Sequence, residues 1–197
     1  MAKLPYQGHG SYRITAGDGR ILYVDPYAGD GYGKPADIVL ITHEHYDHNA
    51  LERLTMKPDT ILRRAGDMLV NGEYRTVEMD GITVTAVPAC NQNHPIDKCV
   101  GYLIRVDGVL IYASGDTSRT AFMDSMTGMG IDYALLPTDG FYNMGLEEAM
   151  DCARRIKARH TIPIHMKPGD LYDEEKAQAF RVDSALLVRP GEEIPLF

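Results

Sequence analysis

At 197 residues the chain is long enough for one sizeable hydrophobic core and short for two, so a single domain over 1–197 is the default expectation. Its 44% hydrophobic and 24% charged residues exclude a disordered chain, and a net charge of −8 disfavours nucleic acid as a partner. Cys90, Cys99 and Cys152 are odd in number with no C-x-x-C pair, which argues against a disulfide framework, and the lack of an apolar signal core or membrane-length run makes a cytoplasmic protein without a membrane partner the expectation.

Near the start, Gly8-His9-Gly10-Ser11 sets His9 among small residues that allow close approach, so His9 faces substrate or supports a group that does. Strands are predicted at 11–15 and 21–24 across Asp18-Gly19, one of four such turns, the others being Asn71-Gly72, Asp80-Gly81 and Asp107-Gly108. Asp25, ahead of Pro26, reads equally as a turn residue or as a carboxylate that orients a ligand imidazole. The apolar run 38–41 predicts a buried strand and 49–54 the first turns of a helix, and between them stands His43-Glu44-His45-Tyr46-Asp47-His48.

Strands follow at 60–64, 74–79 and 82–88, then a loop, Asn91-Gln92-Asn93-His94-Pro95, and a hairpin of 100–105 with 109–112. Ser114-Gly115-Asp116-Thr117 leaves that hairpin, ahead of a short helix around Phe122, Met126 and Met129 and a strand at 133–137. Leu146, Ala149, Met150, Ala153 and Ile156 recur at helical spacing, with Asp151 and Arg155 as an i,i+4 pair on the other side. A strand at 160–165 ends on His165, followed by a helix at 173–180 and a strand at 185–189. Antiparallel sheet with single helices between strands predicts an α/β sandwich, two sheets face to face under outer helix layers.

No packed core needs three histidines and an aspartate within six positions. If the chain leaves strand 38–41 extended, His43, His45 and Asp47 share one side, while His48 breaks the alternation and points towards a second site. Imidazole and carboxylate suit a borderline or harder divalent ion, and two such ions can share a water. Asp116 at a glycine-assisted strand exit is a candidate bridge, or else a turn or capping aspartate. His165 at a strand mouth suits a ligand, His94 lies on a loop whose path the sequence leaves open, and His160 reads as structural or exposed.

The run His43-Glu44-His45-Tyr46-Asp47-His48, the Ser114-Gly115-Asp116-Thr117 turn and Ile162-Pro163-Ile164-His165 together resemble the metallo-β-lactamase superfamily. Gly8-His9-Gly10-Ser11, Asp25-Pro26 and Thr138-Asp139-Gly140 narrow the resemblance to the group of ascorbate-6-phosphate lactonase-like proteins and zinc-dependent hydrolases. It implies a four-layer αββα sandwich with mixed, mostly antiparallel sheets and a metal centre at one edge. It further implies two divalent ions, zinc foremost with manganese or iron also fitting. His43, His45 and His94 would hold one, Asp47, His48 and His165 the other, and Asp116 would bridge them.

The activity so implied is metal-dependent hydrolysis of a small ester, lactone or phosphoester by a metal-bridging hydroxide, oriented by Asp47, with His9 or a bound water protonating the leaving group. Asp116 stands where broad-spectrum zinc β-lactamases carry cysteine, which turns the reading away from antibiotics. Two alternatives remain: a phosphodiesterase or nuclease, which needs phosphate-facing cations such as Arg13, Lys167 and Arg119, and a metal-binding protein without turnover.

Overall fold

The period-two apolar segments are realised as two six-stranded sheets packed face to face, in a computed structural model that describes residues 1–79 and 81–197. In spatial order the first sheet holds β14 (Glu193–Pro195), β1 (Lys3–Gly8), β2 (Ser11–Thr15), β3 (Ile21–Val24), β4 (Ala36–Leu40) and β5 (Met56–Arg63). The second holds β13 (His160–Ile164), β12 (Tyr133–Pro137), β11 (Val109–Ala113), β10 (Val100–Val106), β9 (Ile82–Pro88) and β8 (Thr76–Met79). A small hairpin of β6 (Leu69–Val70) and β7 (Glu73–Tyr74) follows the short helix α1 (Ala65–Met68). The two sheets share one plan. Each is antiparallel from β14 to β3 or from β8 to β11, with two parallel strands added at one end, β4 and β5 or β12 and β13.

Central strands are buried on both faces, and their side chains sort by parity. Leu22, Val24, Ile38 and Leu40 of the first sheet meet Val84, Ile104, Ile111 and Leu135 of the second in the shared core. On the outer side of the first sheet Tyr23, Val39 and Ile41 lie under Tyr32, Leu51 and Leu54. On the outer side of the second, Leu110, Tyr112, Ala134 and Leu136 lie under α2 (Ala121–Ser125) and α3 (Leu146–Ile156). The buried stripe of α3 is Ala149, Met150, Cys152, Ala153 and Ile156, while Arg155 pairs with Asp151 at 2.6 Å on its exposed side. The fourth helix, α4 (Glu174–Ala179), starts where the Asp173 carboxylate accepts the Lys176 N–H at 3.0 Å.

The fold is therefore the expected α/β sandwich, with one thin outer layer. Over the first sheet the helix expected at 49–54 is one 3₁₀ turn, Leu51–Arg53. Segment 74–79 is broken into β7 and β8, and β5 is longer than the expected 60–64. No ladder forms at 185–189. Val188 and Leu186 turn into the shared core, leaving a single bridge between Thr161 and Ala185. β1 and β14 were not expected, since Pro5 and Pro195 interrupt short runs that lack alternation. Three of the four Asn/Asp-Gly turns join paired strands as read, and Asp80 of the fourth lies outside the described residues. Among the described residues no helix is long and apolar enough to cross a membrane.

At Gly101, on β10, an added Cβ would lie 2.8 Å from the Ser114 carbonyl oxygen and 2.9 Å from that of Ala113, both main-chain atoms that cannot yield. Gly101→Ala is expected to lower stability by about 1–3 kcal/mol in urea unfolding. Gly33→Ala, where an added Cβ meets nothing within 4 Å, should leave the midpoint unchanged or slightly raised.

Candidate metal centre

Loops at one end of the sandwich carry the ionisable residues, at the carboxyl ends of the parallel strands and their neighbours. His9 follows β1, Asp25 follows β3, His43 to His48 follow β4, His94 follows β9, Asp116 follows β11, Asp139 follows β12 and His165 follows β13. Gly115 makes the β11 exit possible. It holds a left-handed φ of 64°, and an added Cβ there would lie 2.9 Å from both Thr42 Cβ and the Val100 carbonyl oxygen.

Residues 42–48 do not stay extended, so the alternation expected for 43, 45 and 47 is not what gathers them. They form bends and a turn in which the His48 N–H donates to the His45 carbonyl at 3.0 Å. The turn divides the cluster in two. His43 and His45 meet His94, while Asp47 and His48 meet His165 and His9, with ligand-type atoms in each group within 4.8 Å of one another. The first trio matches the set implied by the resemblance, and the second contains its trio plus His9. His160 stays outside, its ring stacked on Tyr133 at 5.0 Å.

Asp116 lies between the groups and touches both. Its Oδ2 is 3.4 Å from His94 Nε2, 3.4 Å from His165 Nε2 and 3.9 Å from His43 Nε2, and its Oδ1 is 3.3 Å from His48 Nε2.

All the imidazoles of the centre but His45 have a polar group behind them. Asp25 Oδ2 is 2.9 Å from His48 Nδ1 and accepts the Thr42 hydroxyl at 2.6 Å, while Oδ1 accepts the Thr42 N–H at 2.8 Å. With its proton given to Asp25, the Thr42 hydroxyl accepts from His43 Nδ1 at 3.0 Å. Asn91 Oδ1 lies 2.9 Å from His94 Nδ1, Asp139 Oδ2 3.0 Å from His165 Nδ1, and the Asp170 carbonyl 3.0 Å from His9 Nδ1. For His43, His48 and His94 these acceptors put the proton on Nδ1 and leave the Nε2 lone pair facing inward, whereas the Asp139 carboxylate sits behind His165 as a charge contact and His9 Nε2 faces Asp47. His45 is turned the other way, with Nδ1 3.3 Å from His94 Nε2.

The Asp25 carboxylate thus takes the orienting role read for it as one of two options. Thr42, Asn91 and Lys176 escaped the sequence reading. Lys176 donates to the carbonyls of Asp139 at 2.8 Å and Met166 at 2.6 Å, tying together the loops that carry Asp139 and His165. Its signal was weak: a lysine in the first turn of a short helix looks like solvated charge.

Nε2 of His43, His48 and His165 are all buried without a hydrogen-bond partner. Buried imidazole nitrogens are normally satisfied, so lone pairs converging around a carboxylate fit a divalent cation of the kind that nitrogen and oxygen donors bind. The electrostatics of the metal-free protein reflect the same crowding. Burial, reinforced by His48, pushes His43 down to about 2. Burial also opposes charge on His48, but Asp116 and Asp25 outweigh it and raise His48 to about 9. Against the opposing effect of burial, His48, His165 and His43 hold Asp116 well below the usual carboxylate range. Asp47 is likewise held low, by His9 and His48, and Asp139 is lowered to about 2, by His165 and the N–H of Phe141.

A cleft of about 560 Å³ opens over the centre, lined by His45, Asp47, His94, Asp116 and His165 and by Tyr46 and Tyr142. His9 is fully buried beneath Asp47, its Nε2 3.2 Å from Asp47 Oδ2, and does not line the cleft. None of the cations considered for phosphate lines it either: Arg13 donates to the Gly31 carbonyl at 2.9 Å, Arg119 pairs with Asp124 at 2.6 Å and Lys167 with Asp170 at 2.6 Å.

Comparison with known proteins agrees with this architecture. The family model of the beta-lactamase superfamily domain matches residues 3–165. A metal-dependent hydrolase of Thermococcus kodakarensis is 31% identical, with 100% of both chains covered. Among solved structures, a candidate metal-dependent hydrolase from Parabacteroides distasonis superposes with a TM-score of 0.77 at 27% identity, over 95% of this chain and 92% of that one. A metallo hydrolase from Ignicoccus hospitalis gives a TM-score of 0.75 at 22% identity, over 98% and 97%, and shares the fold.

The shifted groups make the metal-free protein acid-labile. A His43 lowered from 6.5 stays neutral in the fold while its unfolded counterpart takes up a proton, so stability falls as pH drops below about 6.5. A second loss is expected as pH falls below about 3.8, where the unfolded chain takes up protons that the depressed Asp139 and Asp116 of the fold do not. Urea unfolding of chelator-treated protein at about pH 7, 5, 3.8 and 2.5 reads both. Asp25→Ala, which strands His48 Nδ1 and two Thr42 donors, should cost about 3–5 kcal/mol in the same assay.

Proposed function

The chain belongs to the metallo-β-lactamase superfamily and is a metal-dependent hydrolase, and we propose that it works with two divalent ions on a small ester or lactone. His43, His45 and His94 would hold one ion, Asp47, His48 and His165 the other, and Asp116 would bridge. The single observation that carries this reading is Asp116, whose two oxygens lie 3.3–3.9 Å from imidazole nitrogens of both groups. Zinc suits the donor set best, and manganese or iron also fit.

Ions bound there supply Lewis-acid polarisation of the scissile group and a more acidic water. The chain's own residues do the rest. Asp47, whose side chain keeps 17% of its surface exposed in the cleft, stays ionised and accepts a hydrogen bond from the attacking water, fixing its direction. His9 acts through Asp47. Both its nitrogens face acceptors, Asp170 O and Asp47 Oδ2, so it would hold the carboxylate in place from below, the supporting one of the two roles read for it rather than the substrate-facing or leaving-group-protonating one. Asp25, Thr42 and Asn91 keep the imidazoles of His48, His43 and His94 in the tautomer and orientation that aim their lone pairs inward, and the Asp139 carboxylate lies 3.0 Å behind His165.

The absence of lysine and arginine from the cleft lining favours an acyl substrate over a phosphoester and weighs against a nuclease. That choice is tested by a panel of p-nitrophenyl esters, lactones and bis-p-nitrophenyl phosphate. Turnover should be confined to the acyl compounds, disappear on chelation and return with zinc, manganese or iron. Asp116→Ala should keep its fold, bind less metal by elemental analysis and lose about 10²–10³-fold or more in kcat/KM. Full activity in a folded Asp116→Ala variant would sink the bridging role. A loss of about 10–100-fold is expected for Asp139→Ala, which removes the carboxylate behind His165 and also strands the N–H groups of Phe141, Tyr142 and Asn143.

A further inference from the structure

Three large aromatic side chains stand uncovered around the cleft: Tyr46 is 74% exposed, Phe141 67% and Tyr142 46%. Single exposed apolar residues need no explanation, but these are grouped at one opening. Tyr46 and Tyr142 line the cleft, and Phe141 packs edge-on against Tyr142 at 4.7 Å.

They come from two loops: Tyr46 adjoins Asp47 in sequence, and Phe141 and Tyr142 stand on a loop tied to residues behind both His94 and His165. The Tyr46 ring lies 6.0 Å from Tyr27, which in turn lies 5.0 Å from His9, so this wall rises from the Asp47 side. The other wall stands beside His94. Its Tyr142 carbonyl accepts from Asn91 Nδ2 at 2.9 Å and Asn93 Nδ2 at 3.1 Å, and Asn91 is the residue that orients His94. Asp139 Oδ1 accepts the N–H groups of Phe141, Tyr142 and Asn143 at 2.6, 2.7 and 3.1 Å, while its other oxygen faces His165. The 141–142 loop is thus held by its backbone and Tyr46 by its edge contact with Tyr27, while all three side chains stay exposed.

We propose that Tyr46, Phe141 and Tyr142 form an aromatic clamp that selects, for the acyl hydrolase described above and resting on that reading, substrates whose non-reacting part is an aryl group. The surroundings support this class. A cleft of about 560 Å³ is the size of a small-molecule site. The nearby cations are engaged, Arg64 by Glu44 and Lys167 by Asp170, which leaves ring stacking as the means of gripping the remote end of a ligand.

The test uses zinc-loaded full chain and two readouts, one of them independent of turnover. Isothermal titration with phenylacetate and with acetate should show about tenfold tighter binding of the aryl acid. The ratio of kcat/KM for methyl phenylacetate over methyl propionate should be similarly raised. Tyr46→Ala/Phe141→Ala/Tyr142→Ala should bring both ratios to near one, and Tyr46→Phe/Tyr142→Phe, which keeps the rings, should restore them. Equal binding of the two acids by the unaltered protein, or a preference that survives the triple substitution, overturns the clamp. If phenylacetate binds selectively through these rings but no ester is cleaved, the clamp stands and the acyl-substrate reading fails.

Discussion

The structure depends on a confined electrostatic problem: a buried carboxylate, Asp116, ringed by the Nε2 atoms of His43, His48, His94 and His165. Neutral imidazoles present lone pairs to it, and charged ones repel each other. Neither state is comfortable without a cation, and the opposite displacements of His43 and His48 express that conflict. An outer ring of acceptors keeps the imidazoles from turning away to relieve it. The polar interior is therefore rigid in the one direction that matters, with donors preset towards the centre.

The sandwich supplies the positions. Both sheets end in parallel strands whose loops leave on the same side, so residues far apart in sequence, from His9 to His165, meet without long connections. Close approach within the second sheet and across to the first is made possible by missing side chains. Gly101 lets β10 lie against the end of β11, and Gly115 lets the Asp116 loop pass Thr42.

Much of this was legible before any coordinates. Apolar β-type runs bounded by turn residues located β2, β3, β9, β10, β11 and β12, and the helical spacing from Leu146 to Ile156 located α3, because burial writes itself into sequence as short apolar runs or as a fixed period. All seven ligand-type residues singled out by motif and strand end come together at one place. What escaped depends on paths through space. The turn that separates His45 from Asp47 has no periodic signature, and the strand expected at 185–189 failed because an apolar run at a sheet edge can fold inward as easily as pair. Asn91 and Lys176 act through single long-range contacts, to which composition and spacing are blind.

Asp139 grips its loop through peptide N–H groups, which every residue but proline possesses, and makes no use of the side chains of Phe141 and Tyr142. The identities of those two residues are in that sense uncoupled from the geometry that holds them. Such a loop behaves as an exchangeable cartridge on a fixed mount. Mutation can try new contact surfaces at 141 and 142 while His165 keeps its aim, so drift in molecular preference need not pass through inactive intermediates.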